Sequence, residues 1–403
     1  MDSALKPARA AIAGSGAVTA AGLGMKSLEQ AVRGNIVGLR PCPRLAGKGY
    51  LSTVAGWVPE EVMAQLRQCD AAHAEAPAFL LADAALREAA TEFVRSRPAR
   101  APTPPPARRA LVLSTTKADI AVLERAFLNQ PSPAGSPNHL FPALLAADLA
   151  AAHEIAGPVQ CISVACISGL LALQQGALLI QEEKADIVFV VGVDLLSHFV
   201  LSGFTTLKSL DPGGCRPFDA ERKGLSLGEG AGAVVLTRRD ALASAALLVA
   251  GWGSSNDANH LTGPSRDGSG LALAIHRALE RAGVLPDTVD FVHAHGTGTP
   301  YNDAMEGAAL RRVFPQRVPP FCSSKGLLGH TLGAAGLLEA LVCLIAARLQ
   351  VLPGTPGLHQ PDSALPDSVV MAPRPGAPLR RLLKLNAGFG GTNAALVLEW
   401  EGA

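Results

Sequence analysis

The chain carries little charge of either sign and lacks a long apolar run. Only 17% of its 403 residues are charged, and its formal net charge is +1 at pH 7. A near-neutral chain gives no electrostatic argument for binding nucleic acid or an anionic membrane surface. No uninterrupted apolar stretch reaches the roughly 20 residues that span a bilayer, so we expect no membrane association.

Paired cysteines and an export signal are also lacking. The seven cysteines are an odd number and include no Cys-x-x-Cys pair, which argues against a disulfide framework and a structural zinc site. Residues 1–7 lack the charged-then-apolar layout of an export signal. We therefore expect a cytoplasmic, reduced protein. Three of its thiols lie in apolar runs typical of a core: Cys161, Cys322 and Cys343.

Short β-rich runs alternate with apolar helical runs, which indicates α/β layering with buried parallel strands. The strand–helix order occurs twice with a break near residues 241–246, so we predict two similar halves, residues 1–245 and 246–403. A proline-rich surface loop is expected over residues 96–109. The clearest predicted strands cover residues 10–18, 110–114, 159–164, 186–193, 230–236, 247–251, 289–293 and 394–400. The clearest predicted helices cover residues 28–37, 76–94, 167–182, 271–282 and 333–349.

Cys166 is the strongest candidate for a reactive group. It lies where the strand-like run 159–164 turns directly into the helical run 167–182. The positive end of a helix favours a thiolate, and the thiolate is the nucleophilic form of cysteine. The helix is apolar on all sides, so we expect it to lie in the core between layers.

Two histidines in glycine-rich turns complete the candidate site. His295 lies in AHGTGTP (294–300) and His330 follows SKGLLG (324–329). Flanking glycines make a packing role unfavourable for either residue, whereas the remaining histidines are interpreted as structural and His293 as ambiguous. Because the thiol lies in one half and both histidines in the other, we expect the site where the halves meet.

Five motifs carry a family resemblance: VACISG (164–169), RPFDAERKGLSLGEGAGAVVL (216–236), HAHGTGTP (293–300), SSKGLLGHTLGAAG (323–336) and NAGFGGTN (386–393). They resemble the ordered motif set of the β-ketoacyl-acyl-carrier-protein synthases of the fatty-acid type II kind. The resemblance implies an α/β thiolase fold of two pseudo-symmetric halves in five layers. It also implies decarboxylative Claisen condensation of an acyl group on Cys166 with malonyl-acyl carrier protein, without a separate cofactor.

The resemblance also assigns roles to individual residues. Cys166, His295, His330 and Lys325 match the catalytic positions, with the backbone amides of Cys166 and Phe389 as oxyanion hole. Lys325 is expected to pair with Glu306, and Asp303 and Glu306 to support the histidine loop. The remaining expected roles are substrate or pantetheine binding by Thr297, Thr299, Thr392, Phe218 and Phe389, and carrier-protein contact by Lys208, Arg216 and Arg222.

Partners follow from the same resemblance: acyl carrier protein, and a second subunit in a homodimer or a heterodimer with a related ketosynthase-like chain. Residues 136–147 are expected to shape the pocket of that second subunit. Two segments depart from the family pattern, the short stretch 208–216 and the run LSTTKAD (113–119), which replaces a glycine-rich segment. This variant resembles synthases of aryl-polyene or flexirubin-type pigment clusters.

Four other interpretations are less well supported. A chain-length-factor-like partner subunit typically lacks the active cysteine, and a degradative thiolase needs a second catalytic cysteine near the C-terminus. A cysteine hydrolase needs one histidine with an Asn or Asp and leaves His330 and Lys325 unexplained. A zinc site built from Cys166, His295 and His330 has suitable ligand types but no local ligand pair, so no metal is expected.

Overall fold

A computed structural model describes residues 9–97, 104–127 and 139–402. The strands are β1 Ala10–Thr19, β2 Gly22–Leu23, β3 Arg40–Pro41, β4 Val54–Ala55, β5 Arg109–Ser114, β6 Val159–Ile162, β7 Ile187–Asp194, β8 Gly230–Arg238, β9 Ala246–Asn256, β10 Phe291–His293, β11 Phe321–Cys322, β12 Val351–Leu352, β13 Arg374–Pro375, β14 Arg381–Gly388 and β15 Thr392–Glu401. The helices are α1 Met25–Arg33, α2 Glu60–Cys69, α3 Pro77–Ser96, α4 Ala121–Phe127, α5 Pro142–Ala152, α6 Ser168–Gln181, α7 His198–Thr206, α8 Ser269–Ala282, α9 Pro300–Val313, α10 Lys325–Leu328 and α11 Ala335–Leu349.

The main sheet has the strand order β11-β10-β14-β15-β9-β1-β8-β7-β5-β6, with β2 paired to β1. Each half contributes five strands with the same directions. In the first half β5 is parallel to β6 and β7, whereas β7–β8 and β8–β1 are antiparallel. In the second half β10 is parallel to β11 and β14, whereas β14–β15 and β15–β9 are antiparallel. The repeated order supports two similar halves, and the boundary at residue 245/246 stays a prediction.

The sheet is therefore mixed, and the expectation of a parallel sheet is correct for only part of it. Three residues separate β14 from β15, and so short a connection joins antiparallel strands. The parallel pairs are β5–β6, β5–β7, β10–β11 and β10–β14, and their crossovers contain helices.

Three large apolar clusters separate the layers. One joins α3 and α5 to the first half of the sheet, one joins α8 and α9 to the second, and the third surrounds α6 and α11 between the two. The layers follow in the order outer helices, one half of the sheet, the central helices α6 and α11, the other half of the sheet, and outer helices. These are the five layers of a thiolase fold. Residues 332–349 are apolar and long enough to cross a membrane, but 89% of them are buried inside the protein, as in a core helix.

Most predicted elements are present with shifted ends. The predicted helix over residues 28–37 is α1, which ends before Gly34, and the predicted helix over residues 167–182 is α6. The sequence prediction missed β14 and α9. Residues 98–103 of the expected proline-rich loop lie outside the described residues.

The two central helices cross at a pair of glycines. A Cβ on Gly169 of α6 would lie 2.6 Å from the Leu337 nitrogen, and a Cβ on Gly336 of α11 would lie 2.7 Å from the Leu170 nitrogen. Cys166 lies just before α6, and His330 precedes α11 by a short 3₁₀ turn. The close crossing therefore brings together one reactive group from each half.

Gly336→Ala should force the helices apart and lower the free energy of unfolding by about 1–3 kcal/mol, the usual cost of overpacking a tight core. Urea denaturation measures the change. Gly203→Ala in α7 is the matched control, because a Cβ at Gly203 meets nothing within 4 Å. An unchanged midpoint for Gly336→Ala would contradict the close crossing.

Candidate active site

Cys166, His295 and His330 meet at one point. The sulfur and one ring nitrogen of each histidine all lie within 4.8 Å of one another. The two imidazole rings are 5.1 Å apart between centroids and nearly perpendicular. Each residue is buried, with 7%, 2% and 2% of its surface exposed. The structure thus assembles the three groups from separate turns, as the sequence predicted.

A tight turn between β6 and α6 places Cys166. Ala165 has a φ of 45°, a conformation that non-glycine residues seldom adopt. The Ser168 hydroxyl holds the turn closed, because it donates to the Ala165 carbonyl at 2.7 Å and accepts from the Val164 amide at 2.8 Å. The turn directs the sulfur away from β6 and toward the histidines.

The expectation that the helix start favours a thiolate at Cys166 is wrong. Burial raises the pKa of the Cys166 thiol to about 12, although the Lys325 ammonium and the Phe389 amide act in the opposite direction. Moreover, α6 begins at Ser168, two residues beyond the sulfur-bearing residue. Desolvation of the anion outweighs the helix end here.

The His330 tautomer is fixed by its own backbone. The Leu332 amide donates to His330 Nδ1 at 3.2 Å, so Nδ1 carries no proton. Burial and the nearby Lys325 ammonium lower the pKa of His330 to about 3, which keeps the ring neutral. In this tautomer Nε2 bears the hydrogen, and it lies 3.0 Å from the Cys166 sulfur.

His295 has the same tautomer through different donors. Its Nδ1 accepts from Lys325 Nζ at 3.2 Å and from Asn386 Nδ2 at 2.9 Å. Burial, with the positive charge of Lys325, lowers the pKa of His295 well below its usual value. Both imidazoles therefore present an Nε2–H donor to the space beside the sulfur.

A buried carboxylate, Glu339, organises these donors. It forms an ion pair with Lys325 and another with Lys384 at 2.8 Å, and it accepts from Asn386 Nδ2 at 3.1 Å. Burial alone would raise the pKa of Glu339, but the ammoniums of Lys325 and Lys384 outweigh it and lower the pKa to about 2. The carboxylate is ionised, and it holds Lys325 and Asn386 against His295.

This network corrects one expectation and adds three residues. Lys325 pairs with Glu339 and not with Glu306, because α11 brings Glu339 directly beneath the lysine. Glu339, Lys384 and Asn386 were not predicted from the sequence. A signal was present for two of them: Glu339 and Lys384 are lone charges in apolar runs, and a buried charge needs a partner.

Glu306 and Asp303 hold the histidine loop, as expected. Glu306 accepts from the amides of His295 and Gly296, both at 2.6 Å. Asp303 accepts from the Thr297 amide at 3.1 Å. Burial raises the pKa of Glu306 to about 7 and is the main influence on it. Both carboxylates thus act on the backbone of the loop.

A cavity of about 370 Å³ leads to the reactive groups. The expected residues Thr297, Thr299 and Phe389 line it, and the two threonine hydroxyls lie 2.9 Å apart. The Phe389 amide acts to lower the pKa of the Cys166 thiol, although burial outweighs it. The Phe389 ring, 38% exposed, stacks on Phe204 with 5.6 Å between centroids.

Several lining residues were not anticipated: Phe204, Leu207, Ser209, Leu225, His260, Thr262, Gly263, Pro264, Tyr301, Asn302, Ala387 and Gly388. Most of them belong to loops that meet only in the folded chain. Tyr301 and Asn302 are different, because they adjoin the HAHGTGTP motif directly and could have been found from it.

Three expected binding residues lie elsewhere. Phe218 is 1% exposed and packs edge-on against Phe321 in the core, so it does not line the cavity. The Arg222 side chain is 7% exposed and pairs with Asp362 at 2.7 Å, which removes it from the surface. Thr392 is not among the lining residues.

Thr392 supports the Phe389 turn, because its hydroxyl donates to the Phe389 carbonyl at 3.3 Å.

Cys161 was expected in the core but is exposed, because β6 lies at the edge of the sheet. Cys322 and Cys343 are buried as expected.

The three converging groups have the ligand types of a metal site but not the required protonation. A metal-bound imidazole nitrogen must offer a lone pair. Here both Nδ1 atoms already accept hydrogen bonds, so the nitrogens that face the sulfur are protonated. The donor set is therefore built to hydrogen-bond an oxygen and does not fit a metal ion.

Family models match both halves of the chain. Residues 101–241 match the model described as beta-ketoacyl synthase, N-terminal domain, and residues 247–359 match beta-ketoacyl synthase, C-terminal domain.

Curated relatives show the same likeness. A putative polyketide beta-ketoacyl synthase 1 of Streptomyces cyaneus is 36% identical over 272 residues, which are 64% of each chain. The 3-oxoacyl-[acyl-carrier-protein] synthase 2 of Vibrio cholerae is 34% identical over 271 residues, 64% of this chain and 66% of the relative. These alignments span less than two thirds of each relative's length.

Solved structures match over nearly the whole chain. The ishigamide ketosynthase/chain length factor has a TM-score of 0.86 at 28% identity, covering 98% of this chain and 100% of that one. A ketosynthase in complex with its chain length factor from Xenorhabdus doucetiae has a TM-score of 0.81 at 28% identity, covering 98% of both.

Alkylation should report the high pKa of the Cys166 thiol. Because its pKa is raised to about 12, the thiolate fraction should rise about tenfold for each pH unit between pH 6 and 9 without a plateau. Iodoacetamide labelling followed by peptide mass spectrometry gives the rate at each cysteine. Exposed Cys69 and Cys161 serve as internal controls, and a Cys166 plateau below pH 8 would contradict the assignment.

Proposed function

Because the chain belongs to the β-ketoacyl synthase family, we propose that it is an acyltransferase that catalyses a decarboxylative Claisen condensation. An acyl group on Cys166 reacts with malonyl-acyl carrier protein to give β-ketoacyl-acyl carrier protein and CO₂. The carrying observation is the convergence of one thiol and two neutral Nε2–H donors at the end of a cavity. One group supplies a nucleophile, and the other two suit a developing oxyanion.

The first step is acyl transfer. The Cys166 sulfur forms a bond to the acyl carbonyl carbon, the bond to the pantetheine sulfur breaks, and the Cys166 proton passes to that departing sulfur. The backbone amides of Cys166 and Phe389 donate to the tetrahedral oxyanion. Support comes from the Phe389 amide, which acts against burial to lower the pKa of Cys166, and from Gly388, where a Cβ would lie 3.2 Å from the Cys166 nitrogen.

The second step is decarboxylation. The bond between the malonyl methylene carbon and its carboxylate breaks, CO₂ departs, and the electron pair becomes an enolate on the thioester. The Nε2–H groups of His295 and His330 donate to that enolate oxygen. Lys325 and Asn386 act through His295, whose tautomer they fix.

The third step forms the new carbon–carbon bond. The enolate carbon attacks the acyl carbon on Cys166, the carbon–sulfur bond breaks, and the released thiolate takes up a proton. The burial that raises the pKa of Cys166 favours this reprotonation. No separate cofactor enters any of the three steps.

Substrate delivery is proposed through a phosphopantetheine arm. The hydroxyls of Thr297 and Thr299 line the cavity and are placed to hydrogen-bond the arm. Lys208 is exposed beside Leu207 and Ser209, two lining residues, so it can meet an acidic carrier protein at the mouth. Arg216 is partly exposed nearby, whereas Arg222 is withdrawn from this role.

A second subunit is proposed at the β6 edge. The strand has β5 as its one partner among the described residues, and its first residue, Val159, is 40% exposed. Phe141 and Leu144, in the described part of residues 136–147, are 59% and 45% exposed. An exposed apolar edge strand can pair with a strand from a second copy of this chain or from a related chain. A cytoplasmic location and the aryl-polyene-type pathway stay predictions.

Separate half-reactions test the mechanism. Cys166→Ala should abolish acylation, seen as loss of the acyl mass gain in intact-protein mass spectrometry, while decarboxylation of malonyl-carrier protein persists. His295→Ala or His330→Ala should slow decarboxylation by about 10²–10³-fold, the usual loss for one oxyanion donor. Because both imidazoles stay neutral, the wild-type decarboxylation rate should show no titration step near pH 6.5.

Two outcomes would reject the proposal. Acyl elongation by Cys166→Ala would show that another group accepts the acyl chain. Absence of acylation in the wild type with every carrier-bound donor would favour a chain-length-factor-like partner subunit.

Val159→Lys tests the proposed subunit interface. A charge on the exposed edge should oppose strand pairing and convert a dimer into a monomer in analytical ultracentrifugation. Lys184→Ala, on the exposed loop after α6, is the control and should leave the mass unchanged. A monomeric wild type that pairs only with a related chain would identify a heterodimer, and an unaffected Val159→Lys dimer would place the interface elsewhere.

A further inference from the structure

A buried polar cluster behind His330 has no part in the mechanism above. It consists of Thr115, Thr116 and Lys117, from the segment that departs from the family pattern, and of Asp194 at the end of β7. Asp194 is completely buried, and the Lys117 side chain is 9% exposed. Burying an ion pair is costly unless its hydrogen bonds are satisfied, so the cluster calls for an explanation.

Asp194 binds two parts of the chain at once, residues 115–117 and the turn at Gly333. Its carboxylate accepts from the Thr116 amide at 3.0 Å and from the Thr116 hydroxyl at 2.9 Å. It also accepts from the Thr115 hydroxyl at 3.1 Å and from Lys117 Nζ at 3.2 Å. Its shortest contact is with the Gly333 amide, at 2.7 Å.

The Gly333 contact lies next to the peptide that fixes the His330 tautomer. Leu332 has a φ of 51°, a strained conformation for a branched residue. In that conformation its amide donates to His330 Nδ1. A Cβ on Gly333 would lie 2.8 Å from Asp194 Oδ2 and 2.9 Å from the Thr116 nitrogen, so the approach requires glycine.

We propose that Asp194 is a positioning residue for His330, and that Lys117 is the counter-charge that makes a buried carboxylate tolerable beside the thiol. Asp194 anchors Gly333, Gly333 holds Leu332 in its strained conformation, and the Leu332 amide keeps the Nε2–H of His330 aimed at the reacting oxygen. The inference rests on the proposed role of His330 in decarboxylation.

The role of Lys117 as a counter-charge follows from the charges around the site. Cys166 and His330 are also faced by Lys325 and Glu339, and His330 by Lys384 as well. Burial is the main cause of both pKa shifts; beside it, the Asp194 carboxylate acts to raise the pKa of Cys166 and the Lys117 ammonium acts to lower the pKa of His330. Without Lys117, the uncompensated carboxylate would make the thiolate harder to form and a protonated imidazole easier to form.

The test compares three variants in two assays, malonyl decarboxylation and Cys166 alkylation by iodoacetamide. Asp194→Asn should lower the kcat of decarboxylation by about 10- to 100-fold at unchanged KM, the scale of a small misplacement of a catalytic group. Lys117→Met should retain most of the kcat but slow Cys166 alkylation severalfold at fixed pH. The double variant should recover part of the lost kcat, because the asparagine oxygen can then accept from Gly333 without facing a buried ammonium.

Asp186→Asn is the matched control, the same substitution at the residue that directly precedes β7, the strand that ends at Asp194. Its side chain is 38% exposed and pairs with Arg108, and the length of β7 separates it from Asp194. It should leave both assays unchanged. Urea denaturation of every variant separates loss of fold from loss of position.

The possible results distinguish failure of the proposed function from failure of the roles proposed for Asp194 and Lys117. An inactive wild type would overturn the proposed function, and the alkylation arm would still test Lys117. An active wild type with a fully active Asp194→Asn would overturn the positioning role. If Asp194→Asn does not fold, a folded double variant that decarboxylates no better than His330→Ala, or a Lys117→Met with unchanged alkylation, would overturn the inference.

Discussion

The Nδ1 atoms of His295 and His330 accept hydrogen bonds from an ammonium and from a backbone amide, groups that can only donate, and the rest of the site depends on that constraint. It leaves the proton of each neutral ring on Nε2. Both Nε2–H groups then point into the space beside the Cys166 sulfur. Two such donors and one thiol are what an enolate and an acyl acceptor require.

The constraint is maintained by charges that are buried far from water. Glu339 lies between Lys325 and Lys384, and burial together with the positive charge of the two lysines keeps both imidazoles neutral. Breaking such a buried pair typically costs about 3–5 kcal/mol, because the remaining charge is left without a partner. Stability and catalytic geometry therefore depend on the same residues, as Asp194 and Lys117 also illustrate on the His330 side.

The local sequence pattern was sufficient to predict the features that consecutive residues form. The strand-to-helix turn at Cys166 and the glycine-rich turns of the histidines could be predicted, because each depends on consecutive residues. Contacts between residues that only folding brings together could not be predicted in this way. Lys325 meets Glu339 only because α11 packs beneath its turn, and Arg222 is buried only because Asp362 comes from a distant loop.

The thiol shows the same division between local and tertiary information. A helix start predicts a stabilised thiolate, but burial of the sulfur comes from packing that the local sequence does not contain. Phe218 was misassigned for a related reason: a phenylalanine in a motif can serve the core as readily as the cavity, and here it packs on Phe321.

Neutron diffraction from crystals of the deuterium-exchanged protein tests the central claim most directly. The account predicts deuterium on Nε2 of both His295 and His330 and none on either Nδ1. Deuterium on Nδ1 of either ring, or on both nitrogens of one ring, would contradict it, because that imidazole would then be the wrong tautomer or positively charged.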